Sequence, residues 1–264
     1  MIDGVPVLLA ALSNQHELQR SYLDAEFSRY AVYQLENWRL SYIERIFEAL
    51  DVAQVGGPYL DVGTGGSGGP VIEAARVGVE AVGCDLSAEA ILAARRFAAH
   101  QGVEGLASFV VCTAEQLPFP DRSFGSASAV AVLEHLDDDL AGASELARVL
   151  RPGGLAWITV PHAFRWMPPL VWPVYWWHDR RIGHKRHYDE QRLVRLAARA
   201  GLEHVRTFFS GHPVKLLQAL GASFLPGLRR RGSAWWWRLE RLDRRAADRR
   251  LGAVHMSMVV RRRR

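Results

Sequence analysis

The stretch Tyr59–Pro70, YLDVGTGGSGGP, constrains this chain more than any other. The apolar run ending Tyr59-Leu60-Asp61-Val62 predicts a buried strand. Gly63, Gly65 and Gly68 predict a tight turn, and Pro70 suits the first turn of a helix. A strand, a Gly-x-Gly-x-x-Gly turn and a helix start together let backbone approach a ligand closely. They also aim unpaired helix N–H groups at it.

Two ligand classes use such a loop. A dinucleotide sets its pyrophosphate on the helix N-terminus, whereas S-adenosylmethionine brings a carboxylate and an ammonium group. Asp61, just before the first glycine, decides between them: a carboxylate there repels a pyrophosphate and pairs with an ammonium. The next acidic strand end, Val82-Gly83-Cys84-Asp85, stands where a carboxylate takes ribose hydroxyls. S-Adenosylmethionine is therefore the expected cofactor, and a nicotinamide cofactor the weakest alternative.

Strands and helices alternate beyond the loop. Strands are expected at Ala81–Cys84, Ser108–Cys112, Ser126–Val132, Leu155–Val160, Leu202–Ser210 and, last and antiparallel, Val254–Val260. Helices are expected at Val71–Val77, Ala88–His100 (N-cap Ser87), Asp137–Leu150, closed by Arg151-Pro152-Gly153-Gly154, and Asp189–Gly201. The expected fold is α/β: a doubly wound, mostly parallel, seven-stranded Rossmann-like sheet with ligands outside the carboxyl ends of its strands. Residues 7–50 are predicted helical with a break near Ser21. Leu35, Trp38, Tyr42, Ile46 and Ala49 recur at helical spacing, and residues 1–52 are expected to form a lid over the cleft, with Tyr22, Tyr30 and Tyr33 either reaching the ligand or packing as ordinary aromatics. Residues 53–264 form the sheet domain, with an aromatic, basic insertion at about 161–188 and a helical extension at about 213–250.

These pieces resemble the class I S-adenosylmethionine-dependent methyltransferases. The matching motifs are DVGTG (61–65), GCDLS (83–87), AEQLPFPDRSF (114–124), VLEHLDD (132–138) and RVLRPGG (148–154), in the family's order. The resemblance implies that Asp61, Gly63, Thr64 and Gly65 hold the methionine portion and Asp85 the ribose. It sets Leu86 against adenine, Thr113, Ala114 and Glu115 at the adenine edge, and the backbone near Val130 at the methionine end. Two positions depart from the pattern. Ser67 stands where many relatives have a glycine, and Thr113 where relatives have an Asp accepting from the adenine amino group, a role Glu115 can take.

Methyl transfer needs positioning and desolvation of the acceptor, and a base only when the acceptor must lose a proton. His135, after the fourth strand, is the first candidate base, His162, after the fifth, the second, and His184 and His187 follow. O-Methylation of a small or lipid-like acceptor is the favoured chemistry on the strength of His135. A metal-dependent variant would use Glu134, His135 and Asp137, but Ala131 stands where a further carboxylate is needed, so no catalytic metal is expected.

Composition narrows the partners. The net charge of +5 is carried by arginine, Lys185 and Lys215 being the only lysines. With no RNA-binding module and no Asn/Asp-Pro-Pro-Tyr motif, a nucleic-acid methyltransferase is the alternative rather than the choice, alongside a cofactor-binding member without turnover. Cys84 and Cys112 lie in predicted strands and suit a reducing cytoplasm, and neither a signal peptide nor a membrane-spanning run is expected. Trp166, Trp172, Trp176 and Trp177 beside Arg180–Lys185, and Trp235–Trp237 beside Arg229–Arg231, admit two readings. The favoured one closes these aromatics over an apolar acceptor; the other sets them at a membrane headgroup boundary.

Overall fold

Tyr59–Val62 (β1) lies at the centre of the sheet in the computed structural model, which describes residues 1–9, 12–28, 37–166, 169, 172–212 and 234–264. All four of its residues are buried, as the near-continuous apolar run requires of a strand covered on both faces. Ala81–Asp85 (β2) and Phe124–Val130 (β4) pair with it in parallel. Ala107–Val111 (β3) extends the sheet beyond β2, and Leu150–Pro161 (β5) beyond β4. His255–Arg262 (β7) then runs antiparallel between β5 and Leu202–Ser210 (β6), giving the order β3-β2-β1-β4-β5-β7-β6. The expected seven-stranded, mostly parallel sheet is thus the observed one.

Helices cover both faces. On one, Asn37–Leu50 (α2), the short Val52–Val55 (α3), Gly69–Arg76 (α4) and Ala88–His100 (α5) set Ile43, Ile46, Leu50, Val52, Val71, Ile72 and Ile91 against Tyr59 and Trp157. On the other, Asp139–Val149 (α6) and Glu190–Arg199 (α8) bring Leu146, Leu193 and Leu196 against Leu60 and Val62. Each such aliphatic side chain contributes about 1.5–3 kcal/mol when fully buried, so α2 is part of the core layer rather than a detachable cover. Caps set the helix starts: Ser87 accepts from Ala90, Asp138 from Leu140 and Ala141, and Asp189 from Arg192. Gly68, at φ +53°, turns the chain into α4, with Pro70 in its first turn.

The N-terminal segment departs from expectation. Pro6 biases Val5 towards extended backbone, and residues 6–8 add to the sheet edge: Val111 donates to the Pro6 carbonyl and Leu8 to Val111. The first helix (α1) begins only at Asn14, where Ser13 and His16 form a reciprocal cap, and runs unbroken through Ser21 to Phe27. Arg151–Gly154, expected to end a helix, already belongs to β5. Gly154 allows this, since a Cβ there would come within 2.8 Å of the Gly125 carbonyl oxygen.

The insertion after β5 contains a helix, Trp172–Ile182 (α7), and Ala234–Arg245 (α9) precedes β7. Trp172, Trp176 and Trp177 are exposed, by 41%, 53% and 59%, rather than folded inward. Among the described residues no helix is long and apolar enough to cross a membrane. Tyr30, Tyr33, Leu35, residues 213–228, Arg229–Arg231 and the side chains of Trp38 and Trp235–Trp237 lie outside the described residues.

Candidate functional site

A parallel sheet brings the carboxyl ends of its strands to one edge. There β1, β2 and β4 open on a cavity of about 380 Å³. Asp61, Gly63, Thr64, Gly65, Asp85, Leu86, Thr113, Ala114, Glu115, Val130 and His135 all line it. So do His16, Gln19, Tyr22, Leu23 and Phe27 of α1, with Tyr42 and Ile43 of α2 and Ile182 of α7.

Asp61 is 2% exposed, and register places it between Gly83 and Ser128. The Ser128 hydroxyl donates to its Oδ1 and also meets the Tyr59 hydroxyl at 2.5 Å. Burial pushes the Asp61 pKa up to about 7, against the lowering effect of hydrogen bonds from Ser128 and Thr64, and the neighbouring Asp85 adds to the rise. No cationic side chain figures among these influences. Asp85 is raised by burial too, although it accepts from the backbone N–H groups of Gly65 and Ser87, each at 2.9 Å. The glycine loop fits closely under α1: a Cβ on Gly66 would come within 2.5 Å of the Phe27 ring, and one on Gly63 within 2.4 Å of Val132. At the end of β4, Ala131 holds φ +56°, a conformation that costs a side-chain-bearing residue.

Polar contacts fasten α1 across the cavity. His16 Nε2 lies 3.0 Å from Glu115 Oε2, Ser13 donates to Asp137 at 2.6 Å, and Ser87 donates to Asp24 at 2.5 Å. Glu115 Oε1 also accepts from the Asp137 N–H at 3.0 Å. Glu115 thus ties α1, through Oε2, to the loop after β4, through Oε1.

The two expected catalytic histidines separate. His135 lines the cavity, with its Nδ1 buried and unpartnered. Burial and the neighbouring His184 push its pKa down to about 4. His162 instead lies in another, smaller cavity, between Trp166 and Phe209, with Nδ1 3.2 Å from the Ala253 carbonyl oxygen. Asp137 is engaged elsewhere, paired with Lys185 and accepting from Ser13. In its place His184, paired with Asp179, approaches Glu134 to 3.7 Å, and burial raises the Glu134 pKa to about 8. Burial pushes the Asp179 carboxyl up, but hydrogen bonds from His184 and His187 prevail and hold it well below its usual range. The Glu134-His135 and Gly183-His184-Lys185-Arg186-His187 stretches were both visible in the sequence, but not their meeting.

Residues 60–158 match the family model described as a methyltransferase domain. A phosphatidylethanolamine N-methyltransferase of Cereibacter sphaeroides is 31% identical over 145 residues, covering 55% of this chain and 70% of that protein. The chain belongs to the class I S-adenosylmethionine-dependent methyltransferases. Methyltransferase GfsG of Streptomyces halstedii is 35% identical over 111 residues, and the match spans 42% of this chain but only 40% of that relative. In fold, this methyltransferase resembles geranyl diphosphate C-methyltransferase from Streptomyces coelicolor A3(2), with a TM-score of 0.68 at 16% identity over 96% of this chain and 100% of that one.

The methyltransferase's cavity suits its family's cofactor. Asp61 is a buried carboxylate with no cationic partner among the described residues and is thus a natural receiver for an ammonium group. The described lining contains no Lys or Arg to neutralise a pyrophosphate. The site also holds features outside the sequence reading: Ser128 behind Asp61, His16, Gln19, Leu23 and Phe27 of α1, and the strained backbone of Ala131.

Proposed function

We propose that the chain transfers a methyl group from S-adenosylmethionine to an apolar, lipid-like acceptor, with an acceptor oxygen as the first choice of nucleophile. The observation that carries this reading is the buried Asp61 carboxylate at one end of a cavity whose other walls include Tyr22, Leu23, Tyr42, Ile43, Val132, Leu136 and Ile182. When bound, the cofactor supplies the electrophilic methyl group. Asp61 would hold its ammonium group, Asp85 its ribose hydroxyls, Leu86 and the Thr113–Ala114 backbone its adenine, and the Val130 backbone its methionine end. α1 and α2 exclude water from the remaining space and orient the acceptor, and His135 meets its nucleophilic group. His162 takes no part in this assignment because it faces a different cavity.

The exposed Trp172, Trp176 and Trp177 favour a second element of the reading, contact with a membrane surface that supplies the acceptor. The Arg180 guanidinium sits 4.2 Å from the Trp176 ring centroid, so an indole and a cation are presented together, as a headgroup boundary requires. One relative is named for methylating phosphatidylethanolamine, itself a membrane lipid.

Calorimetric titration with S-adenosylmethionine, followed by mass-spectrometric screening of lipid and phenol fractions for products one methyl group heavier, tests the assignment. Cofactor binding that Asp61→Ala abolishes, with an added methyl group on an apolar acceptor, is the expected result. Tight NADH binding with none of S-adenosylmethionine would overturn it, and cofactor binding without turnover would point to a binding protein. Cosedimentation with anionic vesicles at low salt, lost as ionic strength rises and weakened in Trp176→Ala/Trp177→Ala, tests the membrane contact; no cosedimentation removes it.

A further inference from the structure

We infer that Glu134, His135 and His184 form a site for one borderline divalent transition-metal ion of the zinc class, beside the acceptor end of the cavity. This deepens the proposed function, resting on its placement of the acceptor, and departs from the sequence expectation that no metal is used.

One ligand atom from each of the three side chains lies within 4.8 Å of the other two. Two of those side chains carry buried polar atoms with no hydrogen-bond partner, Glu134 Oε2 and His135 Nδ1. Glu134 is 1% exposed, so its unpartnered oxygen cannot be satisfied by bulk water. A buried polar atom left in this way costs about 1–3 kcal/mol, a cost that a bound cation removes.

The orientation of His184 sharpens the case. Its Nδ1 lies 2.8 Å from Asp179 Oδ1, the distance of an N–H donated to a carboxylate. With Nδ1 engaged there, Nε2 faces Glu134 Oε1 at 3.7 Å, too long for a hydrogen bond and wide enough to admit a cation between them. With metal–ligand bonds of about 2.1 Å, a 3.7 Å separation subtends about 120° at the ion, within the range of a distorted tetrahedral shell.

The carboxylate–histidine–metal arrangement is the usual way a protein fixes a ligand's tautomer, which makes Asp179 a positioning residue. Its other oxygen, Oδ2, lies 2.9 Å from His187 Nε2, so a second histidine faces Asp179. Backbone bonds support the geometry: Lys185 donates to the Glu134 carbonyl at 2.9 Å and His184 to the Asp179 carbonyl at 3.0 Å. Lys185, the nearby cation, is drawn off by Asp137.

The ligand set selects the ion. Two imidazoles and one carboxylate suit zinc and its neighbours, whereas magnesium favours an all-oxygen shell. Three protein ligands leave one position open, and because His135 lines the cavity, that position is within reach of an acceptor oxygen or water.

The test is metal binding by the whole chain, stripped with chelator and then titrated with Zn²⁺, or with Co²⁺ as a spectroscopic stand-in. The expected result is one ion per chain, with a Co²⁺ absorption spectrum of low coordination number. Glu134→Gln and His184→Ala should each weaken binding by about 100-fold, and Asp179→Asn by about 10–100-fold. Retained S-adenosylmethionine binding by each variant checks its fold, because that site stands on Asp61 and Asp85. It also separates failure of this inference from failure of the cofactor assignment. Absence of stoichiometric uptake by the unaltered chain at micromolar Zn²⁺ overturns the site, whatever the variants do. So does an octahedral Co²⁺ spectrum that none of the three substitutions changes.

Discussion

His16 of α1 and Glu115 of the loop after β3 meet at 3.0 Å across the cavity, each side chain only 14% exposed. The contact joins a helix that precedes the sheet to a loop that the sheet positions. With the Asp24–Ser87 hydrogen bond, it fastens α1 to the sheet domain beside the cavity. In His16→Ala/Asp24→Ala this segment should open more readily. Loss of about 1–1.5 kcal/mol in hydrogen bonding corresponds to roughly tenfold faster cofactor release. Stopped-flow displacement measures it, and an unchanged release rate would show that α1 does not gate the cavity.

Asp61 should make cofactor affinity depend on pH. Its pKa of about 7 in the free protein means that the proton must leave before an ammonium group can pair with it. Affinity should rise about tenfold per pH unit between pH 5 and 7, then level off until the cofactor's own α-amino group, near 7.7–8.0, begins to titrate. The stability of the free protein should move the other way. A carboxyl whose pKa is raised on folding contributes stability at pH below about 4, and that contribution is lost as pH rises towards 7. Asp61→Asn should flatten both curves and weaken binding by roughly 1.5–3 kcal/mol. Calorimetry and urea denaturation across this range provide the check.

His162 should show itself in acid stability. Burial, opposed by the Ala253 carbonyl, pushes its pKa down to about 4, with Arg250 and Arg165 lowering it further and Asp189 raising it. A histidine depressed on folding contributes stability above about pH 6.5 that is lost as pH falls towards 4. His162→Gln, which keeps a donor for the carbonyl but carries no charge, should therefore lose less stability than the parent between pH 7 and 5. Identical acid limbs in chemical denaturation would contradict this role.

Ala131→Gly should stabilise the fold. The native φ of +56° penalises alanine and suits glycine, an effect of about 1 kcal/mol that outweighs glycine's entropic cost in the unfolded chain. Melting should shift upward by about 2–4 °C. A lower melting temperature would show that the Ala131 methyl contributes packing worth more than the strain.

The sequence by itself determined the sheet and which strand ends and loops line the cavity. Their signals are local: a strand, a glycine turn and a proline-started helix are consecutive, and a parallel sheet carries every strand end, with Asp61, Asp85 and Val130, to one edge. What depends on register or on distant segments was decided by tertiary structure alone. Ser128 supports Asp61 because β4 pairs with β1 at that position, which no periodicity reveals. The start of α1 shifted because extended backbone at Pro6 found an edge at Val111. His135 and His162 follow strands in the same way, yet only His135 reaches the cavity, because β7 and the turn at Trp166 enclose the other. His184 bridges Asp179 and Glu134 only because the chain after α7 returns to the end of β4, where the Lys185 N–H bonds the Glu134 carbonyl, so the cluster comes from packing between segments far apart in the chain.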